Sequence, residues 1–204
     1  MQLHYAKGTI AIAVAITLFD AGIDFEPVEV DFPNAAQTKP AFHAINPKGR
    51  VPALVTSRGV LTETGAILDY IAALHPRAEL IPGDPFQAAR MRELMYYIAS
   101  TLHVAHAHKM RGPRWATKPT SFKDMAEKVQ ENMSACADLI ETHYLTGPFV
   151  LGDRFSLADP YLFTAASWFP KDGVDLDQFP ALTRFMSMME TRDSVQQARQ
   201  LGMI

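Results

Sequence analysis

Residues 46–71 hold the groups with the most chemistry to offer. They run Asn46-Pro47-Lys48-Gly49-Arg50-Val51-Pro52-Ala53-Leu54-Val55, then a turn, then Leu61-Thr62-Glu63-Thr64 and on to Ile71. Pro52 has no N–H to give a sheet ladder, so it opens a strand rather than sitting inside one. An X-Pro bond at such a bend is also a place where a cis peptide costs little. The following strand ends in Thr62-Glu63-Thr64, where a helix must start. The first N–H groups of a helix have no partner inside it. With a hydroxyl and a carboxylate beside them, they suit a small zwitterionic ligand carrying its own carboxylate and amine.

A second cluster is Leu102-His103-Val104-Ala105-His106-Ala107-His108-Lys109. At helical spacing His103 and His106 share a face and His108 turns away. Three histidines invite a metal reading, but no fourth ligand is conveniently spaced, and no metal is expected. Solvated or core imidazoles account for them equally well. Met110-Arg111-Gly112-Pro113-Arg114-Trp115 closes this helix; Arg and Trp there either pack or wall a site for a flat or anionic molecule. The one cysteine, Cys136, lies between Ala135 and Ala137 and reads as a buried, inert thiol.

The elements that must position these groups fall into two grammars. Gln2 to Tyr5 is a strand, Lys7-Gly8 a turn, and Thr9 the cap of a helix running to about Ala21 and closed by Gly22. That helix is apolar in nearly every direction, which predicts burial on most sides. Phe25 to Val30 is the next strand and Lys39 to Ile45 a short helix or irregular segment. Val51–Val55 and Val60–Leu61 form a hairpin, and a helix runs from Thr64 to Leu74. This order belongs to an α/β domain with a mixed sheet. After the proline-rich stretch from His75-Pro76 to Pro85, no convincing strand occurs. Helical patterns run from Pro85 to about Met110, from Ser121 to about Tyr144, and over 157–169, 179–190 and 194–201. Ser156-Leu157-Ala158-Asp159 resembles a capping box and concerns folding. The predicted domains are residues 1–77 (α/β) and 85–204 (all-α).

A formal charge of −3 over 204 residues gives no reason to expect nucleic acid or a membrane surface as partner. A single cysteine excludes an internal disulfide and fits a reducing compartment, so a cytoplasmic setting is expected. Ile10 to Phe19 is an apolar run behind Lys7, yet no small-x-small cleavage site follows cleanly, and removal as a leader is not expected.

Val51-Pro52 and Glu63-Thr64, as a pair at this spacing, resemble the glutathione-binding half of the glutathione S-transferase superfamily. The resemblance extends over essentially the whole chain and is nearest to bacterial beta-class-like members. It implies a thioredoxin-like first domain, a cis Val51-Pro52 bond, and an all-helical second domain. It further implies glutathione as co-substrate, a homodimer, and conjugation of the glutathione thiol to small hydrophobic electrophiles, as in detoxification. Residue by residue, Val51 pairs its backbone with the cysteinyl part, while Glu63 and Thr64 hold the γ-glutamyl end. Arg50 is placed for the glycyl end, and Gln37 and Lys39 are further candidates. The family's thiol-activating residue lies just after the first strand. Beta-class members carry a Cys-Ser pair following the position of Thr9, where this chain has Ile10 and Ala11. Thr9 and Tyr5 are the remaining hydroxyl donors. His103 matches the histidine of the family's Leu-His-Lys motif, with Val104 in place of the lysine. Ile10, His103, His106, Met110 and Arg114 are the expected lining of the second-substrate pocket. The missing Cys and Ser keep two other functions open: a glutathione-dependent disulfide reductase using only glutathione thiols, and a non-enzymatic binder of glutathione or hydrophobic ligands.

Overall fold

A computed structural model describes residues 1–204. The first 81 residues and the last stretch, 190–204, form one compact unit; residues 82–189 form another.

In the first unit, strands β1 (Gln2–Tyr5), β2 (Glu26–Glu29), β3 (Ala53–Thr56) and β4 (Gly59–Thr62) make a four-stranded sheet in the order β2-β1-β3-β4. β1 runs parallel to β2 and antiparallel to β3, and β3–β4 is the expected hairpin. Helix α1 (Ala11–Asp20) is buried from Ala11 through Leu18, as an all-round apolar helix must be. Helix α2 (Pro40–His43) is a single turn with Pro40 at its start, and α3 (Thr64–Leu74) buries Ile67, Leu68 and Ile71. The α/β expectation for this half is met.

Two local expectations are corrected. Thr9 does not cap α1: Ile10 occupies the cap position with helical angles and no side-chain hydrogen bond, and the Thr9 hydroxyl donates instead to Ala6 O at 2.7 Å. Short-range closure of the Ala6–Thr9 turn, with Thr9 N also donating to Ala6 O at 3.3 Å, outcompetes capping. Residues 190–204, read as part of the helical domain, instead lie in the first unit. There α10 (Asp193–Gln200) packs on α1, and the part-buried Arg192–Asp20 ion pair, at 2.6 Å, joins them.

The second unit is helical: α4 (Pro85–Tyr97), α5 (His103–Ala107), α6 (Pro119–Glu127), α7 (Val129–His143), α8 (Ala158–Ala166) and α9 (Pro180–Glu190), whose last residue falls to the first unit. Asp84 caps α4 by accepting from Gln87 N at 2.8 Å, with Pro85 just inside. The predicted 85–110 helix is interrupted by a π-helical turn at Ile98–Leu102, and the 121–144 helix breaks at Lys128 into α6 and α7. Of the capping-box reading only the acidic half is found: Leu157, not Ser156, takes the cap position of α8, and no side chain caps it. Asp159, with no exposed surface, accepts from Ser156 N at 2.7 Å and from Val150 N at 2.8 Å, which ties the preceding loop to the start of α8. No helix is long and apolar enough to cross a membrane.

Candidate functional site

The loop from Asn46 to Pro52 is built around a buried amide. Asn46 is 1 % exposed; its Nδ2 donates to Arg50 O at 2.6 Å and its Oδ1 accepts from Lys48 N at 3.1 Å. Gly49 sits at φ +61°, where a Cβ would fall 2.9 Å from Gln37 O, so both the backbone angle and the space demand glycine. This brings the Gln37 backbone against the loop. The Gln37 side chain keeps its Oε1 buried without a protein partner, whereas Lys39 and the Arg50 side chain stand exposed. Val51-Pro52 is cis and delivers the chain into β3.

Glu63 adopts φ 71°, ψ 118° at the mouth of α3, a conformation that a residue with a Cβ rarely takes. Its carboxylate is exposed and ion-paired with Lys48 Nζ, which also donates to Thr62 Oγ1 at 2.6 Å. Thr64, the first residue of α3, is buried. The helix has no side-chain cap, so its leading N–H groups present partial positive charge beside Glu63 and Lys48. Lys48 was not singled out from the sequence. Its only signal was a lysine in the turn before a strand-opening proline, and the hairpin that carries it back to Glu63 is a tertiary event.

At the end of β1, Tyr5 is 5 % exposed, and burial, reinforced by the Glu29 charge, pushes its phenol above the ordinary tyrosine value. It therefore stays a neutral hydroxyl at physiological pH. Thr9 has its single proton directed at Ala6 O, and Ile10 is buried beside it. The N–H groups of Ile10 and Ala11 lie ahead of α1's own i→i−4 ladder.

On the helical unit, His103 and His106 both meet the indole of Trp168, His106 stacked at 4.3 Å and 17°, His103 tilted at 4.9 Å. His108 turns away, edge-on to Trp115. His106 Nδ1 lies 2.6 Å from Asp172 Oδ2, and Lys109 Nζ lies 3.2 Å from the other oxygen of that fully buried carboxylate. Met110 and Arg114 are exposed, Met110 at 81 %. Cys136 is buried and accepts from Tyr97 OH at 3.3 Å; burial pushes its thiol upward, away from the reactive form. A cavity of about 400 Å³ among Leu145–Pro148, Arg184, Phe185 and Met188 contains none of these groups.

Comparison with known proteins gives a consistent result. The N-terminal domain of glutathione S-transferases matches residues 2–73, and their C-terminal domain matches residues 95–193. The glutathione S-transferase GstA of Escherichia coli O157:H7 is 33% identical over 97% of this chain and 96% of its own length. A maleylacetoacetate isomerase of Pseudomonas aeruginosa is 28% identical over 97% and 95%. A glutathione transferase homolog from Sulfitobacter, solved with bound glutathione, superposes with a TM-score of 0.98 at 55% identity, covering 100% of this chain and 98% of that one.

Proposed function

The chain belongs to the glutathione S-transferase family, with a thioredoxin-like first domain and a helical second domain, and from that premise we propose that it binds glutathione on the first unit and transfers its thiol to small hydrophobic electrophiles. The observation that carries this reading is Glu63. A non-glycine residue held at positive φ costs about 1–3 kcal/mol, and such strain persists where function uses it. Here it aims a carboxylate at solvent beside a cation and a helix N-terminus. That set of charges complements the γ-glutamyl end of glutathione: the amine to Glu63, the carboxylate to the leading N–H groups of α3, Thr64 Oγ1 and Lys48. Val51, ahead of its cis proline, offers its backbone to the cysteinyl part. Arg50, Gln37 and Lys39 are candidates for the remaining polar groups. The sulfur is stabilised as thiolate by the N–H groups of Ile10 and Ala11 with Thr9 beside them, since charge at a helix N-terminus is favoured. Tyr5 remains a secondary donor. His103, His106, Met110 and Arg114 face the second substrate. By family we also infer a homodimer; Phe86 and Tyr96, exposed at 69 % and 65 % on α4, are apolar area that a second copy would cover.

A second reading, glutathione-dependent disulfide reduction, is favoured by one observation. The only protein thiol, Cys136, is buried and held by Tyr97, so any redox work would fall to glutathione thiols alone. Assays with an activated aryl halide and with a glutathione-reducible disulfide, run side by side after calorimetry with glutathione, decide between them. Binding without turnover of either substrate identifies a binder. Absence of glutathione binding refutes all three.

A further inference from the structure

The cavity of about 400 Å³ beside the 145–148 loop takes no part in the chemistry above, and all of its lining belongs to the second unit. One wall is the loop that follows α7. The other is a face of α9, where Arg184, Phe185 and Met188 fall within about one turn. The loop wall is held from behind. Gly147 passes so close to Gly152 that a Cβ on it would fall 2.7 Å from the Gly152 Cα. Phe149 N donates to Gly152 O at 2.8 Å, and Val150 N donates to the buried Asp159 carboxylate at 2.8 Å. The helix wall is fixed by Glu141, whose two oxygens accept from Ala181 N and Leu182 N at 2.8 Å each. A space between two anchored walls is preformed, and its volume lies within the range of small-molecule sites.

Charge gives this space a direction. Arg90, Arg192 and Arg199 each hold a carboxylate, that of Glu93, Asp20 and Glu190 respectively. Arg184 stands exposed at the cavity, and its guanidinium makes no hydrogen bond or ion pair. Glu141, the carboxylate that reaches this end of α9, already uses both oxygens on backbone N–H groups. The N–H groups of Thr146 and Gly147 donate to no protein acceptor either. Against these donors stand Leu145 and Phe185, both buried, with Pro148 and Met188. An uncommitted fork of donors beside an apolar floor matches a molecule with a carboxylate at one end and a flat hydrocarbon body behind it. We propose that this cavity is a second ligand site, sharing no residue with the one proposed for glutathione, and that it takes small aromatic carboxylates. The carboxylate lies on Arg184, and the ring lies against Phe185 and Met188. No bond is made or broken there.

The test is a nuclear magnetic resonance titration of the full chain, isotope-labelled at its methionine methyl carbons, with β-naphthoate. Met188→Leu identifies the Met188 signal by its loss. In the wild type that methyl should shift under the ring current of the bound naphthalene. It should saturate with a Kd of about 1 mM, the affinity expected of a ligand with about a dozen non-hydrogen atoms. Arg184→Gln removes the charge and should raise that Kd about 10-fold. Its Tm should hold within about 2 °C, because the side chain has no partner to lose. β-Naphthylmethanol has the same rings and no charge. It should bind the wild type more weakly than naphthoate does, and bind both proteins equally. A Met188 methyl that stays in place overturns the site. So does a naphthoate affinity that Arg184→Gln leaves unchanged, or one that falls no more than the alcohol's. Should Arg184→Gln fail to fold, the wild type still decides, since equal affinity for naphthoate and the alcohol overturns the carboxylate assignment. None of these outcomes depends on glutathione, so the transferase reading stands or falls by its own assays.

Discussion

Thr9→Val removes one hydroxyl, keeps the branched shape, and separates two roles that the structure makes distinct. In the structure the Thr9 proton goes to Ala6 O at 2.7 Å and closes the loop ahead of α1. A neutral hydrogen bond of this kind contributes about 1 kcal/mol. If that were its whole role, Thr9→Val would lower Tm by about 2–4 °C for a chain of this size and change the rate by a pH-independent factor. Donation to the glutathione sulfur requires the hydroxyl to turn away from Ala6. It then trades a bond worth about 1 kcal/mol for a charge-assisted one worth about 1.5–3 kcal/mol. The difference, about 0.5–2 kcal/mol, is felt only by the thiolate. It corresponds to a thiol pKa about 0.4–1.5 higher in Thr9→Val. The assay is titration of the ultraviolet thiolate absorbance of bound glutathione in both proteins, with rates measured across the same pH range. The rate loss should be present at neutral pH and vanish at alkaline pH, where the thiolate forms unaided. Equal pKa values in the two proteins would refute the donor role and leave the thiolate to the amides of Ile10 and Ala11.

Glu63→Ala removes the charged partner proposed for the γ-glutamyl amine and should weaken glutathione binding about 10- to 100-fold by calorimetry, the range for a hydrogen bond to a charged group; unchanged affinity would sink the site. Arg192→Met leaves the Asp20 carboxylate, 9% exposed, without its cation, and should cost about 3 kcal/mol or more, a Tm drop of about 6–12 °C. Burial raises the Asp20 carboxyl above the ordinary aspartate value of about 3.9. The native state therefore favours the protonated form, and stability falls as pH climbs from about that value through the raised one, a slope that Asp20→Asn should abolish in denaturant titrations. Cys136→Ala should retain full glutathione-dependent activity at a stability cost of about 1 kcal/mol, since Tyr97 OH loses its acceptor; inactivity in a folded variant would expose a thiol mechanism.

What the sequence made legible is what is local. The all-round apolar run of α1, the strand-opening Pro52, the hairpin, the helix start at Thr64 and the shared face of His103 and His106 are encoded within a few residues of one another, and each appears where its pattern puts it. What the sequence hid is pairing at a distance. Lys48 reaches Glu63 only once β3 and β4 have folded back. Asp172 lies 66 positions from His106, and nothing in either segment names the other. Thr9 was misread for a subtler reason. Its hydroxyl has a choice between capping a helix and closing a turn, and the turn's geometry, with Gly8 at φ 64°, decides for the second. The break at Lys128 carries no glycine or proline, so periodicity ran through it.

The return of the chain's last residues bears directly on the proposed chemistry. Periodicity predicts α10 as a helix but says nothing of where it lands, and it lands on α1. One end of α1 is held where Arg192 meets Asp20. The loop before its other end is held where Gly8 N donates to Met203 O at 3.2 Å, with Met203 itself fully buried and its own N–H bonded to Ala198 O. α1 is close-packed along its length between these two points, and close-packed elements do not reorient piecemeal. Donors that stabilise a developing anion do so best when their orientation is fixed before the charge arrives, because nothing then reorganises during reaction. The beta-class pattern supplies side-chain donors at this loop. This chain has Ile10 and Ala11 there, with only backbone N–H groups to offer, and a backbone donor is only as well aimed as the helix that carries it. On the proposed function, the tail that pins α1 at both ends is therefore part of what would let a site without the usual cysteine and serine hold a thiolate.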